Sequence, residues 1–130
     1  MPATFEITTG KLFNPSGALV GVGYSGGDCG KFPEGKNNPA FCNVHDKGPL
    51  PEGLYTMGEP VEHSQLGPFA IPLAPDPSNT MFGRSGFFMH GDTIENPGNA
   101  SDGCIIQERA VRNNAKSWSD QQIQVVAVKQ

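Results

Sequence analysis

The sequence predicts a mainly β fold, a small curved, barrel-like sheet with one short helix. Glycine and proline number 17 and 12 among 130 residues, so the backbone must turn often and long helices have little room. The apolar residues, 36 % of the chain, are gathered in short runs of strand length. Only one stretch, Ile106 to Lys116, carries a helical pattern. A chain of this length fits one compact core, and residues 1–130 are read as a single domain.

The elements follow in order. Thr4 to Thr8 alternates, and a second run, Lys11-Leu12-Phe13, precedes the turn Asn14-Pro15-Ser16-Gly17, the pattern of two strands of a meander. Ala18 to Tyr24 is a β-type run. Ser25 to Asp46 is so rich in Gly, Pro and Asn that it reads as one long loop, a length usually tied to function. A Pro-Gly turn over Gly48 to Gly53 feeds a strand from about Leu54, and Phe69 to Leu73 forms another. Both are expected at sheet edges, because proline cannot donate to a ladder. Gly86 to Met89 is apolar and ends on His90, which places a polar side chain at a strand terminus. In the helix, Ile106, Ala110 and Val111 would share the apolar side, with Glu108 and Arg112 paired at i, i+4. Ile123 to Val128, β-branched and apolar, is a closing core strand.

Charge excludes some partners. The net charge is −4 and no cluster of Lys and Arg exists to follow a phosphate backbone, so nucleic acid is not an expected partner. No segment is long and apolar enough to span a membrane. Met1 to Gly10 lacks the basic start and apolar stretch of a secretory signal, so a substrate outside the cytoplasm would require another delivery route.

Three cysteines leave at least one thiol unpaired. One reading joins Cys29 to Cys42 and leaves Cys104 free. The alternative keeps all three reduced, and Cys29, Cys42 and His45 as zinc ligands are a further reading, short of the four that a closed site needs. His45 and His63 otherwise receive no role, and the glycosylation pattern at Asn99-Ala100-Ser101 is set aside.

The segment from Phe88 to Ile106 carries the chemistry. It holds His90, a turn of small residues and Cys104. A thiol becomes a strong nucleophile when a neighbouring imidazole accepts its proton. Gly103 has no side chain, so a substrate carbonyl could approach the backbone N–H groups of Gly103 and Cys104, an oxyanion site. Ser101 either bonds near the thiolate or holds the turn. Asp92 either orients the imidazole or is a turn residue. Arg84 either offers its guanidinium to a substrate carboxylate or is a solvated charge. The order His90 before Cys104, fourteen residues apart, differs from papain-like enzymes, where the cysteine comes first. The bland reading of the pair is an inert core thiol and a surface histidine.

The pattern His90-Gly91, a loop, then Ser101-x-Gly103-Cys104-Ile105 resembles the catalytic signature of YkuD-type L,D-transpeptidases. Asp102 stands where that family usually has a histidine, and Ile106 where it usually has arginine. The chain is more similar to the type VI secretion L,D-transpeptidase effectors, through Tyr24-Ser25-Gly26, Gly48 to Tyr55, Gly83 to Asp92 and Ala100 to Ile105. The resemblance implies a sheet of the L,D-transpeptidase type, Cys104 as nucleophile, His90 as base, and Ser101 and Gly103 as catalytic support. It implies substrate contacts from Arg84, Asp92 and Tyr24, and neither cofactor nor metal. The expected substrate is the peptidoglycan tetrapeptide stem, processed by L,D-carboxypeptidase or L,D-transpeptidase chemistry in a target cell's periplasm. Expected partners are a cognate immunity protein and carrier components of the secretion machine. Two rival readings are a zinc peptidase built on His90, Asp92 and another histidine, and a cell-wall-binding module without catalysis from a secretion or phage-tail apparatus.

Overall fold

The computed structural model describes residues 2–93 and 97–129. Among these, strands dominate and one α-helix is present, as the sequence predicts. In chain order the strands are β1 (Ala3–Glu6), β2 (Lys11–Phe13), β3 (Leu19–Val22), β4 (Tyr24–Ser25), β5 (Gly53–Met57), β6 (Val61–His63), β7 (Gly67–Pro75), β8 (Phe88–His90), β9 (Ile105–Ile106) and β10 (Gln122–Val126). The helix α1 spans Arg109–Ala115. Neighbouring strands run in the order β3-β2-β1-β10-β5-β7-β8-β9-β4, with β6 paired to β7.

Alternation explains the core. Phe5, Tyr55, Ile71, Met89, Ile105, Ile123 and Val125 come from adjoining strands, and each is at most 1 % exposed. The meander of β1 and β2 forms as expected, antiparallel with Phe5 opposite Leu12. The closing strand β10 lies parallel to β1 and antiparallel to β5, so it sits inside the sheet.

Several expectations are corrected. Neither β5 nor β7 is an edge: β5 lies between β10 and β7, and β7 between β5 and β8. Proline is tolerated because β7 changes partner along its length. Ile71 and Pro72 pair with β8, whereas Leu73 to Pro75 pair with β5, so Pro72 stands at the handover. Ile106 belongs to β9, where tertiary pairing with Tyr24 and His90 overrides helical spacing. The helix buries Arg112 and Ala115 and leaves Ala110 exposed. Arg112 therefore makes no i, i+4 pair with Glu108. Within the long loop, Asp28–Gly30, Pro33–Gly35 and Pro39–Phe41 form short 3-10 turns. Proline starts the second and third, and the Asn38 side chain caps the third by accepting from the Ala40 N–H. The pairing of Cys29 with Cys42 does not occur. Both thiols are free, Cys29 exposed and Cys42 buried, with Cys42 Sγ 3.6 Å from the Leu50 carbonyl oxygen.

Candidate active site

The parallel pair β8 and β9 places the two chemical side chains. Its register sets Met89 opposite Ile105 and His90 opposite Ile106, so Cys104, one residue before β9, is level with Phe88. Met89 and Ile105 belong to the core cluster. Alternation therefore turns His90 away from that core cluster, while Cys104 lies in the bend that leads into β9, with its Sγ against the Phe88 N–H.

His90 is 3 % exposed, and its Nδ1 lies 2.9 Å from the Gly91 carbonyl oxygen. A carbonyl only accepts, so Nδ1 carries the proton and donates. In the neutral ring Nε2 is then bare and able to take a proton. Burial pulls the imidazole pKa below its ordinary 6.5, and the nearby Arg112 cation adds to the effect. Cys104 is 5 % exposed. Burial pushes its thiol up to about 12, opposed by the Phe88 N–H that donates to Sγ over 3.3 Å. Burial thus favours the neutral form of both the thiol and the imidazole. No hydrogen bond joins them in this structure. Cys104 opens on a cleft of about 140 Å³ with His45, Arg84, Phe87 and Asp102, while His90 borders a hollow with Leu66, Gly67, Asp92 and Ala100.

The turn before Cys104 is held by motifs distant in sequence. Ser101 Oγ donates to the Cys104 carbonyl at 2.6 Å and accepts from the N–H groups of Gly26 at 2.9 Å and Gly103 at 3.0 Å. Of its two expected roles, this geometry is the turn. The Gly103 N–H is thereby engaged by Ser101 and is not free for the oxyanion role expected of it. Gly103 has φ +153, and a Cβ there would lie 2.6 Å from Arg84 Nη2 and 2.8 Å from the Phe87 ring, so only glycine fits. Ser25, fully buried, donates to the Gly103 carbonyl at 2.8 Å and accepts from the Leu50 N–H at 3.1 Å.

Arg84 is neither a solvated charge nor open to solution. It is 6 % exposed and donates to four carbonyls, those of Cys42 (2.7 Å), Pro49 (2.6 Å), Gly48 (3.0 Å) and Asp102 (3.3 Å). It joins the Gly48 turn to the turn before Cys104. Asp92 does not touch the imidazole. Its Oδ1 accepts from the Tyr24 hydroxyl at 2.6 Å and its Oδ2 from the Gly98 N–H at 2.9 Å. The Tyr24 hydroxyl in turn accepts from the Ala100 N–H at 2.9 Å. Tyr24 and Asp92 thus anchor the connection from β8 to Cys104, and both line a hollow beside Gln107 and Glu108. The zinc groupings do not assemble: among the described residues, no three His, Cys, Asp or Glu side chains come close enough to hold a metal ion.

Sequence reasoning missed Ser25, the Phe88 N–H and Arg112. Ser25 adjoins the recognisable Tyr24, but nothing local shows that its hydroxyl joins two distant loops. Arg112 looks like an exposed helix charge. It is buried and donates to the carbonyls of Gln107 (2.6 Å), Phe69 (3.1 Å) and Pro68 (3.3 Å).

A mainly β domain with His90 ending one strand and Cys104 just before its parallel neighbour is compatible with the L,D-transpeptidase type of site that the sequence resembles. Comparison with protein families gives the particular one. The family model described as the Tlde1 domain matches residues 22–129, and the chain belongs to that family of type VI secretion L,D-transpeptidase effectors. Neither the curated proteins nor the solved structures gave a match.

Proposed function

We propose that the protein is a cysteine-dependent L,D-carboxypeptidase and L,D-transpeptidase that acts on peptidoglycan tetrapeptide stems as an antibacterial effector. The observation that carries this reading is the placement of His90 at the end of β8 and Cys104 immediately before its parallel neighbour β9, with His90 Nδ1 donating to the Gly91 carbonyl. With Nε2 bare, rotation of the thiol from Phe88 toward the ring lets His90 take the Sγ proton as attack begins. A thiol that rests protonated and a base with a lowered pKa favour proton transfer concerted with attack over a standing ion pair.

Sulfur adds to the carbonyl at the L-centre of the diaminopimelate residue. The oxyanion that forms is met by the Cys104 N–H. The protonated His90 gives its proton to the departing amine of the terminal D-alanine, and a thioester remains on Cys104. Water then completes carboxypeptidase action, a free D-amino acid completes exchange, and an amine from another stem completes a cross-link. Activity of this kind harms a cell where its wall is exposed, in the periplasm, and the producing cell would need an immunity protein. Carrier components of the secretion machine would deliver the domain. The test is mass spectrometry of tetrapeptide muropeptides incubated with the protein. Loss or exchange of the terminal D-alanine supports the reading, and full turnover by Cys104→Ala removes it. Binding of muropeptides without turnover, equal in the wild type and Cys104→Ala, would favour a cell-wall-binding module.

A further inference from the structure

A hollow of about 660 Å³ lies apart from Cys104 and His90. Four separate chain segments build it: Pro39–Asn43, Glu52–Gly53, Ser78–Phe82 and Gln124–Val126. Its wall is rigid. The Asn79 side chain accepts from the Leu54 N–H at 3.2 Å and donates to the Leu54 carbonyl at 2.9 Å. Gly53, at φ +138, makes room for that side chain, since a Cβ there would lie 2.3 Å from Asn79 Oδ1. A hollow shaped this way is preformed.

Its chemistry selects a ligand class. Asn43, Thr80 and Gln124 supply neutral donors and acceptors, and Phe82, 48 % exposed, supplies an aromatic face. No Lys, Arg or His is among the described residues that line it, and Glu52 is its one ionisable carboxylate, so an anionic ligand is disfavoured. The strands beneath, β5 and β10, are paired on both sides, which denies an extended peptide a ladder to join. Neutral amides and hydroxyls beside an exposed ring suit a polyhydroxyl ligand with acetamido groups. Such a sugar turns an apolar C–H face to the ring and its polar groups to the amides.

One contact links the hollow to the wall of the Cys104 cleft. His45, in the wall of the Cys104 cleft, has its Nε2 3.3 Å from the Phe82 carbonyl oxygen, and Phe82 borders the hollow. We propose that this hollow is a saccharide subsite, which holds the N-acetylated amino-sugar chain of the polymer whose stem peptide enters the Cys104 cleft. This inference rests on the peptidoglycan reading above for the identity of the sugar, and its test is separable from that reading.

Calorimetric titration of the wild-type protein with an N-acetylglucosamine tetramer, which carries no stem, should give saturable binding. Phe82→Ala should weaken it roughly three- to tenfold, the range given by loss of one aromatic contact, and Thr80→Arg, which fills the hollow from an exposed position, should also weaken it. Kinetics provide the second arm. The KM for a disaccharide tetrapeptide should lie below that for the free tetrapeptide, and both substitutions should erase the difference, because uniform binding appears in KM. Absence of saturable sugar binding, or binding and KM preference unchanged in both variants, overturns the subsite. Sugar binding that obeys these expectations without any stem turnover would keep the subsite and withdraw the catalytic reading.

Discussion

Replacing Ser101 by alanine removes one oxygen that holds three backbone groups. The hydroxyl is 1 % exposed, donates to the Cys104 carbonyl and accepts from the N–H groups of Gly26 and Gly103. A buried polar group left without a partner costs about 1–3 kcal/mol. Three such groups, with partial relaxation and entry of water, give an expected loss of about 3 kcal/mol. Urea unfolding followed by fluorescence of Trp118 measures it. With a slope of about 2 kcal/mol/M, the midpoint should fall by about 1.5 M. Ser101→Thr keeps the hydroxyl and should recover much of the loss if its methyl group is accommodated. A midpoint within about 0.3 M of wild type for Ser101→Ala would refute the view that Ser101 holds the turn, and would reopen a direct role beside the sulfur.

Three further outcomes are expected. Gly103→Ala drives a Cβ to 2.6 Å from Arg84 Nη2 at a backbone angle that favours glycine, so tetrapeptide turnover should fall by about tenfold or more, as misplacement of reacting groups does; unchanged kcat/KM would show that the turn has slack. Arg84→Lys keeps a charge but loses the planar fork that reaches four carbonyls, and its midpoint for thermal unfolding should drop by several degrees, about 4 °C or more; an unchanged melt would refute the bridging role. The acid limb of kcat/KM should lie below pH 6.5, because activity needs neutral His90 and burial lowers its pKa. Stability has the same sign. As pH falls from 6.5 toward the lower folded pKa, the unfolded chain takes up the His90 proton first, so this group's contribution diminishes across that window. An acid limb above 6.5 would contradict the burial of the base.

Much of the sheet was legible because strand signals are local. Lys11-Leu12-Phe13, the apolar run ending at His90, and Ile123 to Val126 each carry enough β-branched, aromatic or apolar residues to reveal themselves. The short strands β6 and β9 were not, since their pairing depends on distant partners and two or three residues give no period. Edge placement of β5 and β7 failed because the proline rule is local, whereas the partner change at Pro72 is a property of the sheet. At the candidate site, residue type and spacing singled out His90 and Cys104 as candidates, and the family resemblance supplied their proposed roles. The contacts of the residues around them were not legible. Ser101 and Arg84 form multiple backbone contacts across separations of up to 75 residues, and Asp92 faces Tyr24 instead of the nearby imidazole. Nothing in a linear sequence marks which carbonyl a guanidinium will reach.

The central claim is that His90 and Cys104 form one catalytic unit. It is tested most directly by a kinetic cycle on a tetrapeptide stem with wild type, His90→Ala, Cys104→Ala and the double variant, each checked for folding. Each single substitution should lower kcat/KM nearly as far as both together, because in the proposed mechanism neither group acts without the other. Losses that multiply independently, or appreciable turnover by Cys104→Ala, would contradict it.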